Sequence, residues 1–183
     1  MSARINPKHP PFAPAIEQRL RKLMPPGVPP LTLFTTLARD GRLFERFMGG
    51  GLLDKGHLSL RHREIVIDRV TAQCGSEYEW GVHAAFFGEQ AELTPAQSRS
   101  LVLGDASDPC WEDETERRLI RFCDALLSDC DVDDSLWGGL SVAFSDEGLL
   151  ELLLLAGFYR TVSYLTNALK LPLEPFAARF PAA

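Results

Sequence analysis

The sequence predicts an all-α fold, and three observations carry that expectation. No stretch of useful length alternates apolar and polar residues as a half-buried strand would. Apolar residues instead recur at helical spacing, as in Leu119, Phe122, Cys123 and Leu126. The segment Thr94-Pro95-Ala96-Gln97 also combines three helix-start signals: a threonine cap, proline at the first helical position, and a glutamine placed to bond back to the cap.

Taken in order, residues 1–14 read as an extended arm interrupted by Pro7, Pro10, Pro11 and Pro14, and Ala15 to Met24 as a short helix. Pro25-Pro26-Gly27-Val28-Pro29-Pro30 is a stiff connector. Leu31 to Phe47 has a helical rhythm in Leu33, Phe34, Leu37, Leu43, Phe44 and Phe47, with a break expected near Asp40-Gly41 and an end at Gly49-Gly50-Gly51. Ser59 caps a helix containing Glu64, Ile65, Val66 and Val70; Gly75 is the joint to a second helix from about Ser76 to about Gln90. The helix opened by Thr94 runs to about Leu103. Glu112 to Ser128 places an acidic first turn where it complements the helix dipole. Ser135 to Phe144 is a further short helix, and Ser145-Asp146-Glu147 opens a long one that Pro172 stops. The expected organisation is an N-terminal arm with a short helix (1–30), one helical domain (31–175) and a C-terminal tail (176–183).

At 183 residues the chain is long enough to bury one sizeable core. The formal net charge of −6 argues against a nucleic-acid partner, because phosphate binding needs a basic patch. Leu149 to Leu169 is apolar, but Glu151, Arg160 and Asn167 within it fit a buried helix better than a membrane span. Cys74, Cys110, Cys123 and Cys130 form neither a Cys-x-x-Cys nor a zinc-finger spacing, so free thiols and a reducing compartment are expected. The N-terminal residues lack the apolar core of a secretory signal, and the expected location is cytoplasmic.

The most informative stretch runs from Glu64 to His83. Ser76, Glu79 and His83 share one face of a helix, which brings a hydroxyl, a carboxylate and an imidazole toward one volume. A carboxylate beside imidazole tunes its proton affinity across the working range, so Glu79 and His83 are a candidate proton-transfer pair. Glu64 is a second carboxylate on the preceding helix, with Arg61, Arg69 or Arg160 as candidate ion-pair partners. Glu64, Glu79 and His83 could also supply three ligands to a metal. That reading ranks below proton transfer, and no metal or other cofactor is expected. Tyr78, Trp80, Phe86 and Phe87 are candidates for core, subunit interface or pocket wall.

Leu60-Arg61-x-Arg63-Glu64-Ile65-Val66, followed by Tyr78-Glu79-Trp80-x-x-His83 and Leu93-Thr94, resembles the core of the carboxymuconolactone decarboxylase family, within the alkyl hydroperoxidase D-like superfamily. A weaker echo lies in Leu149-x-Glu151, Tyr159 and Asn167. The resemblance implies an alkyl hydroperoxidase D-like helical bundle that assembles as a homo-oligomer, a dimer, trimer or hexamer. The peroxidase branch carries a redox cysteine pair where this chain has Ser76 and Glu79, so the decarboxylase branch is the closer match. That branch implies acid/base chemistry on a small lactone or carboxylate. His83 would then be the proton donor, oriented by Glu79 or Glu64, with Arg61 or Arg63 holding the substrate beside Ser76, Tyr78 and Trp80. A thiol peroxidase and a non-catalytic small-ligand-binding protein of the same fold are the alternatives.

Overall fold

The computed structural model describes residues 3–182, and its architecture follows from one helix that is covered on every side. Helix α4 (Leu60–Gln73) buries Ile65, Val66, Ile67 and Val70. Every residue from Glu64 to Thr71 is buried, the polar ones included, so this stretch has no solvent face. Around it pack α5 (Glu77–Phe87), α6 (Pro95–Leu103), α7 (Glu114–Ser128) and α9 (Asp146–Leu169). Helix α8 (Asp134–Ala143) bridges α7 and α9. With α1 (Pro14–Leu23), α2 (Thr32–Leu37) and α3 (Gly41–Met48), these make nine helices and no strand among the described residues.

The expected caps are in place. Thr94 accepts from the Gln97 backbone N–H while the Gln97 side chain accepts from the Thr94 backbone, closing the capping box of α6. Asp40 accepts from Leu43 N–H at 2.9 Å and divides the Leu31–Phe47 rhythm into α2 and α3. Gly75 is the joint between α4 and α5, at a φ of +65° that a side chain rarely adopts. Helices α7 and α8 begin where Asp113 and Asp133 cap them, within two residues of the expected starts, and α5 ends at Phe87 rather than Gln90. The end of α9 comes earlier than expected: Lys170 turns left-handed (φ 51°), so the helix stops before Pro172 can act.

Two apolar clusters form, not one. The larger is built on α4, α7 and α9 with Trp111, Phe122 and Tyr159 among its members, while Ile16 and Leu20 of α1 pack with Ala38 and Phe44 into a small satellite. Helix α9 is long and apolar enough to cross a membrane by length and composition, but Leu149, Leu152, Leu155, Ala156 and Val162 lie buried in the core.

After Lys170 the chain returns as a strap over α5. Glu174 accepts hydrogen bonds from Thr32 N–H on α2 and from the Tyr78 hydroxyl on α5, fastening two helices far apart in sequence. Ala178 N–H donates to the Gly81 carbonyl at 3.0 Å, and Phe180 packs on Trp80. A Cβ at Gly81 would sit 2.3 Å from the Ala178 carbonyl oxygen, so glycine is what lets the strap lie flat.

Candidate active site

Helix α4 contributes Glu64 and α5 contributes Glu79 and His83, one turn apart, and the Gly75 joint folds the two helices together. All three side chains are buried, with Glu64 1%, His83 3% and Glu79 7% exposed. His83 Nδ1 lies 2.7 Å from Glu64 Oε2, while His83 Nε2 lies 3.5 Å from Glu79 Oε1. The first is a full hydrogen bond; the second is an ion-pair contact longer than a good one. Behind them, Arg63 Nε donates to the other oxygen of Glu64 at 3.0 Å. The imidazole is further held by the rings of Tyr159, edge-on at 5.0 Å, and Phe87 at 5.3 Å.

Burial by itself would push the His83 imidazole down, but hydrogen bonding to Glu64 and Glu79 and the charges of both outweigh it and raise the pKa to about 10. His83 is therefore an imidazolium at neutral pH. Asp68, one turn beyond Glu64 on α4, behaves in the opposite way. Burial, with the Glu64 charge adding to it, lifts its carboxyl well above the usual range. Its Oδ1 has no hydrogen-bond partner.

His83 and Glu79 form the buried floor of a cavity of about 660 Å³. Its walls are mainly aromatic and aliphatic, with Phe34, Phe47, Phe86, Phe87, Phe158 and Tyr159 contributing rings. Helix α1 and the proline connector close one side through Leu23, Met24 and Pro25. Arg19, Asp54 and Gln90 are exposed at the rim.

Of the residues expected at the site, the structure gathers Glu64, Glu79 and His83 and leaves the others out. Arg61 pairs with Glu116 and donates to the carbonyls of Ala91 and Glu92, pinning α4 to α7 and to the turn after α5. Ser76 hydrogen-bonds Thr166 at 2.8 Å, a tie between α5 and α9, and its side chain makes no capping bond to α5. Tyr78 is taken by Leu33 and Glu174, and Trp80 by Phe180. None of the four lines the cavity. Arg63, also expected to hold substrate, does not line the cavity either: it lies behind Glu64, with its guanidinium 5.5 Å over the Phe87 ring. Glu64 does not pair with Arg69, whose guanidinium binds Asp124 and the carbonyls of Leu101 and Gly104. Nor does it pair with Arg160, which binds Tyr164.

Asp68, Tyr159 and the phenylalanines of α2 and α3 were not legible as site residues. For Asp68 the available signal was its place one turn from Glu64 inside an apolar run. No group of three or more His, Cys, Asp or Glu is arranged to hold a metal ion among the described residues. All four cysteines are free and none lines the cavity; burial pushes the Cys74 and Cys123 thiols up, away from the thiolate form.

No protein-family model and no curated protein sequence matches the chain. Solved structures do. A peroxidase-related protein of uncharacterised function from Silicibacter sp. TM1040 superimposes with a TM-score of 0.81 at 14% identity, covering 98% of each chain. A second, described as an alkylhydroperoxidase AhpD core from Ralstonia eutropha JMP134, gives 0.79 at 16% identity over 95% of each chain. An alanine variant of the debrominase Bmp8 in complex with 2,3,4-tribromopyrrole gives 0.75 at 15% identity, covering 96% of this chain and 94% of that one. The chain therefore has the alkyl hydroperoxidase D-like fold, as a single helical domain.

Proposed function

We propose that the protein is an acid/base enzyme that transfers a proton to a small cyclic substrate, carboxymuconolactone decarboxylase-like in working with a histidine and carboxylates and without a cysteine pair. One observation carries this reading: an imidazolium held between two carboxylates on the floor of an apolar cavity. Glu64 locks the Nδ1–H and fixes the ring, while the loose contact to Glu79 leaves the Nε2–H as the proton free to move. Because the resting group is charged, His83 starts as a donor and not as a base.

In the decarboxylase form of this chemistry, the bond to the leaving carboxylate breaks and its electron pair passes into a conjugated carbonyl. The His83 Nε2 proton then forms the new C–H bond, and solvent reprotonates the neutral imidazole. The apolar walls exclude water and strengthen both charge interactions on the floor. A fold relative that holds a brominated pyrrole supports a small ring as occupant. The test is a screen of cyclic lactones and ring carboxylates for turnover, with His83→Gln as the control.

Thiol chemistry is the competing reading, and no cysteine lines the cavity. Replacing all four cysteines with alanine is expected to leave turnover of an identified substrate within about threefold of the parent, the scale of indirect effects rather than loss of a reacting group. Hydroperoxide turnover that is robust in the parent and absent in the cysteine-free protein would establish a peroxidase instead.

The protein is further proposed to work as a homo-oligomer. Helix α9 exposes Leu150 at 61%, Leu154 at 64% and Tyr164 at 58% along one face, an apolar stripe of the kind subunit contacts cover. Light scattering at micromolar concentration should report a multiple of the 20.3 kDa subunit. A monomer that persists on concentration would remove this proposal.

A further inference from the structure

Few polar side chains line the cavity, and one of them has no part in the proton-transfer pair. Glu79 turns Oε1 toward His83 Nε2 at 3.5 Å, while its Oε2 is sealed from solvent. Arg19, Asp54 and Gln90 stand at the exposed rim. That leaves Tyr159. The residue is 2% exposed, and its hydroxyl has no hydrogen-bond partner among the described residues. Its oxygen is nevertheless not sealed, as the unpartnered Asp68 Oδ1, Glu79 Oε2 and Trp80 Nε1 are. A buried side chain with an open polar atom presents it to the cavity it lines, and Tyr159 lines this one. Polar groups inside folded proteins are almost always paired, so the hydroxyl points to a partner brought by the occupant of the cavity.

The chemistry of that partner follows from what the hydroxyl can offer. Burial, with the charges of Glu79 and Glu64 adding to it, pushes Tyr159 well above its ordinary range, so the group keeps its proton and donates. The other donor in the chamber is His83 Nε2–H, and the two rings stand edge-on with centroids 5.0 Å apart. Two neighbouring donors suit an occupant that brings oxygen acceptors. Decarboxylation makes such an acceptor stronger as it proceeds, because the electron pair released with carbon dioxide collects on the carbonyl oxygen. A donor already aimed at that oxygen binds the transition state better than the ground state, which is what accelerates the step.

We propose that Tyr159 is a further catalytic residue, whose hydroxyl hydrogen-bonds the carbonyl oxygen of the substrate and holds the enolate that forms there. The carbon–carbon bond to the carboxylate breaks, carbon dioxide leaves, and the electron pair moves through the conjugated system onto the carbonyl oxygen. Tyr159 stays bonded to that oxygen and keeps its proton. As the carbonyl re-forms, the His83 Nε2 proton makes the new C–H bond, and solvent returns one proton to His83. The proposal deepens the proton-transfer reading and rests on it for the step that makes the oxyanion.

The probe is para-nitrophenolate, a flat ring whose anionic oxygen stands in for the enolate; para-nitrotoluene has nearly the same outline without that oxygen. Absorbance titration of the full chain at mildly alkaline pH should show nitrophenolate binding. Tyr159→Phe, which removes the hydroxyl and keeps the ring, should weaken it about tenfold or more, the scale of one hydrogen bond to a charged group. By calorimetry, para-nitrotoluene should bind the two proteins alike. Because the hydroxyl has no partner in the fold, the variant should melt no lower than the parent. Equal nitrophenolate affinities, a matching loss for para-nitrotoluene, a lower melting temperature for Tyr159→Phe, or no nitrophenolate binding to the parent would each overturn the proposal. None of these measurements needs turnover. A tenfold loss alongside full activity in His83→Gln keeps Tyr159 as the anion donor and ends the His83 mechanism, whereas equal affinities alongside a dead His83→Gln do the reverse.

Discussion

Replacing His83 with glutamine is expected to reduce turnover of an identified substrate by about 100-fold or more, the cost of losing a general acid, while the protein stays folded. Glutamine is close to histidine in size, and its amide N–H can still donate to Glu64, which lies 2.7 Å from the ring nitrogen it replaces. What it lacks is a proton to give. Stability has to be measured alongside, because a carboxylate left without its donor costs about 1 to 3 kcal/mol and could imitate an activity defect. Full activity in folded His83→Gln would end the mechanism. A folded variant that binds ligand normally and turns nothing over is the expected result.

The second large effect is on stability. Glu64→Leu leaves the His83 imidazolium and the Arg63 guanidinium facing an apolar side chain where each had a carboxylate oxygen, at 2.7 and 3.0 Å. Removing one partner of a buried ion pair costs about 3 to 5 kcal/mol. For a chain of this size that is a fall in melting temperature on the order of 10 °C. The same pair predicts a pH dependence with a definite sign. The folded-state pKa of His83, about 10, lies above the ordinary histidine value of 6.5. Its contribution to stability is then complete below about 6.5 and is lost as pH rises through about 10. Thermal stability of the parent should therefore fall across that window more steeply than that of Glu64→Leu, in which the imidazole has lost its nearest carboxylate. Other groups titrate there too, so the difference between the two curves is the quantity to read. A flat difference would show that His83 is neutral in the fold.

Local signals were legible where a few neighbouring residues decide the outcome. The capping box at Thr94, the break at Asp40 and the glycine joint at Gly75 all depend on backbone groups within four residues. Glu79 and His83 were legible for the same reason, being one helical turn apart. Arg61 and Arg63 were not separable, because their roles depend on which neighbour each meets: Glu116 on α7 captures one, and Glu64 holds the other. Asp68 looks in the sequence like the polar edge of an apolar run. Only the packing of α5, α6, α7 and α9 around α4 shows that no such edge exists. The cavity was illegible for the strongest form of this reason, since its walls come from α1, α2, α3, α5 and α9 and no window of sequence contains them together.

The C-terminal strap puts an order on how the site comes into being. During synthesis α4 and α5 leave the ribosome early, and with them Glu64, Glu79 and His83. Phe158 and Tyr159 arrive only with α9, and Glu174, which joins Thr32 to Tyr78 across the molecule, comes later still. A nascent chain can thus carry its three proton-handling residues while the chamber around them stands open to water. Phe158 and Tyr159 complete the wall, so the enclosure closes once α9 has docked, and a chain cut before α9 has the chemistry without the enclosure.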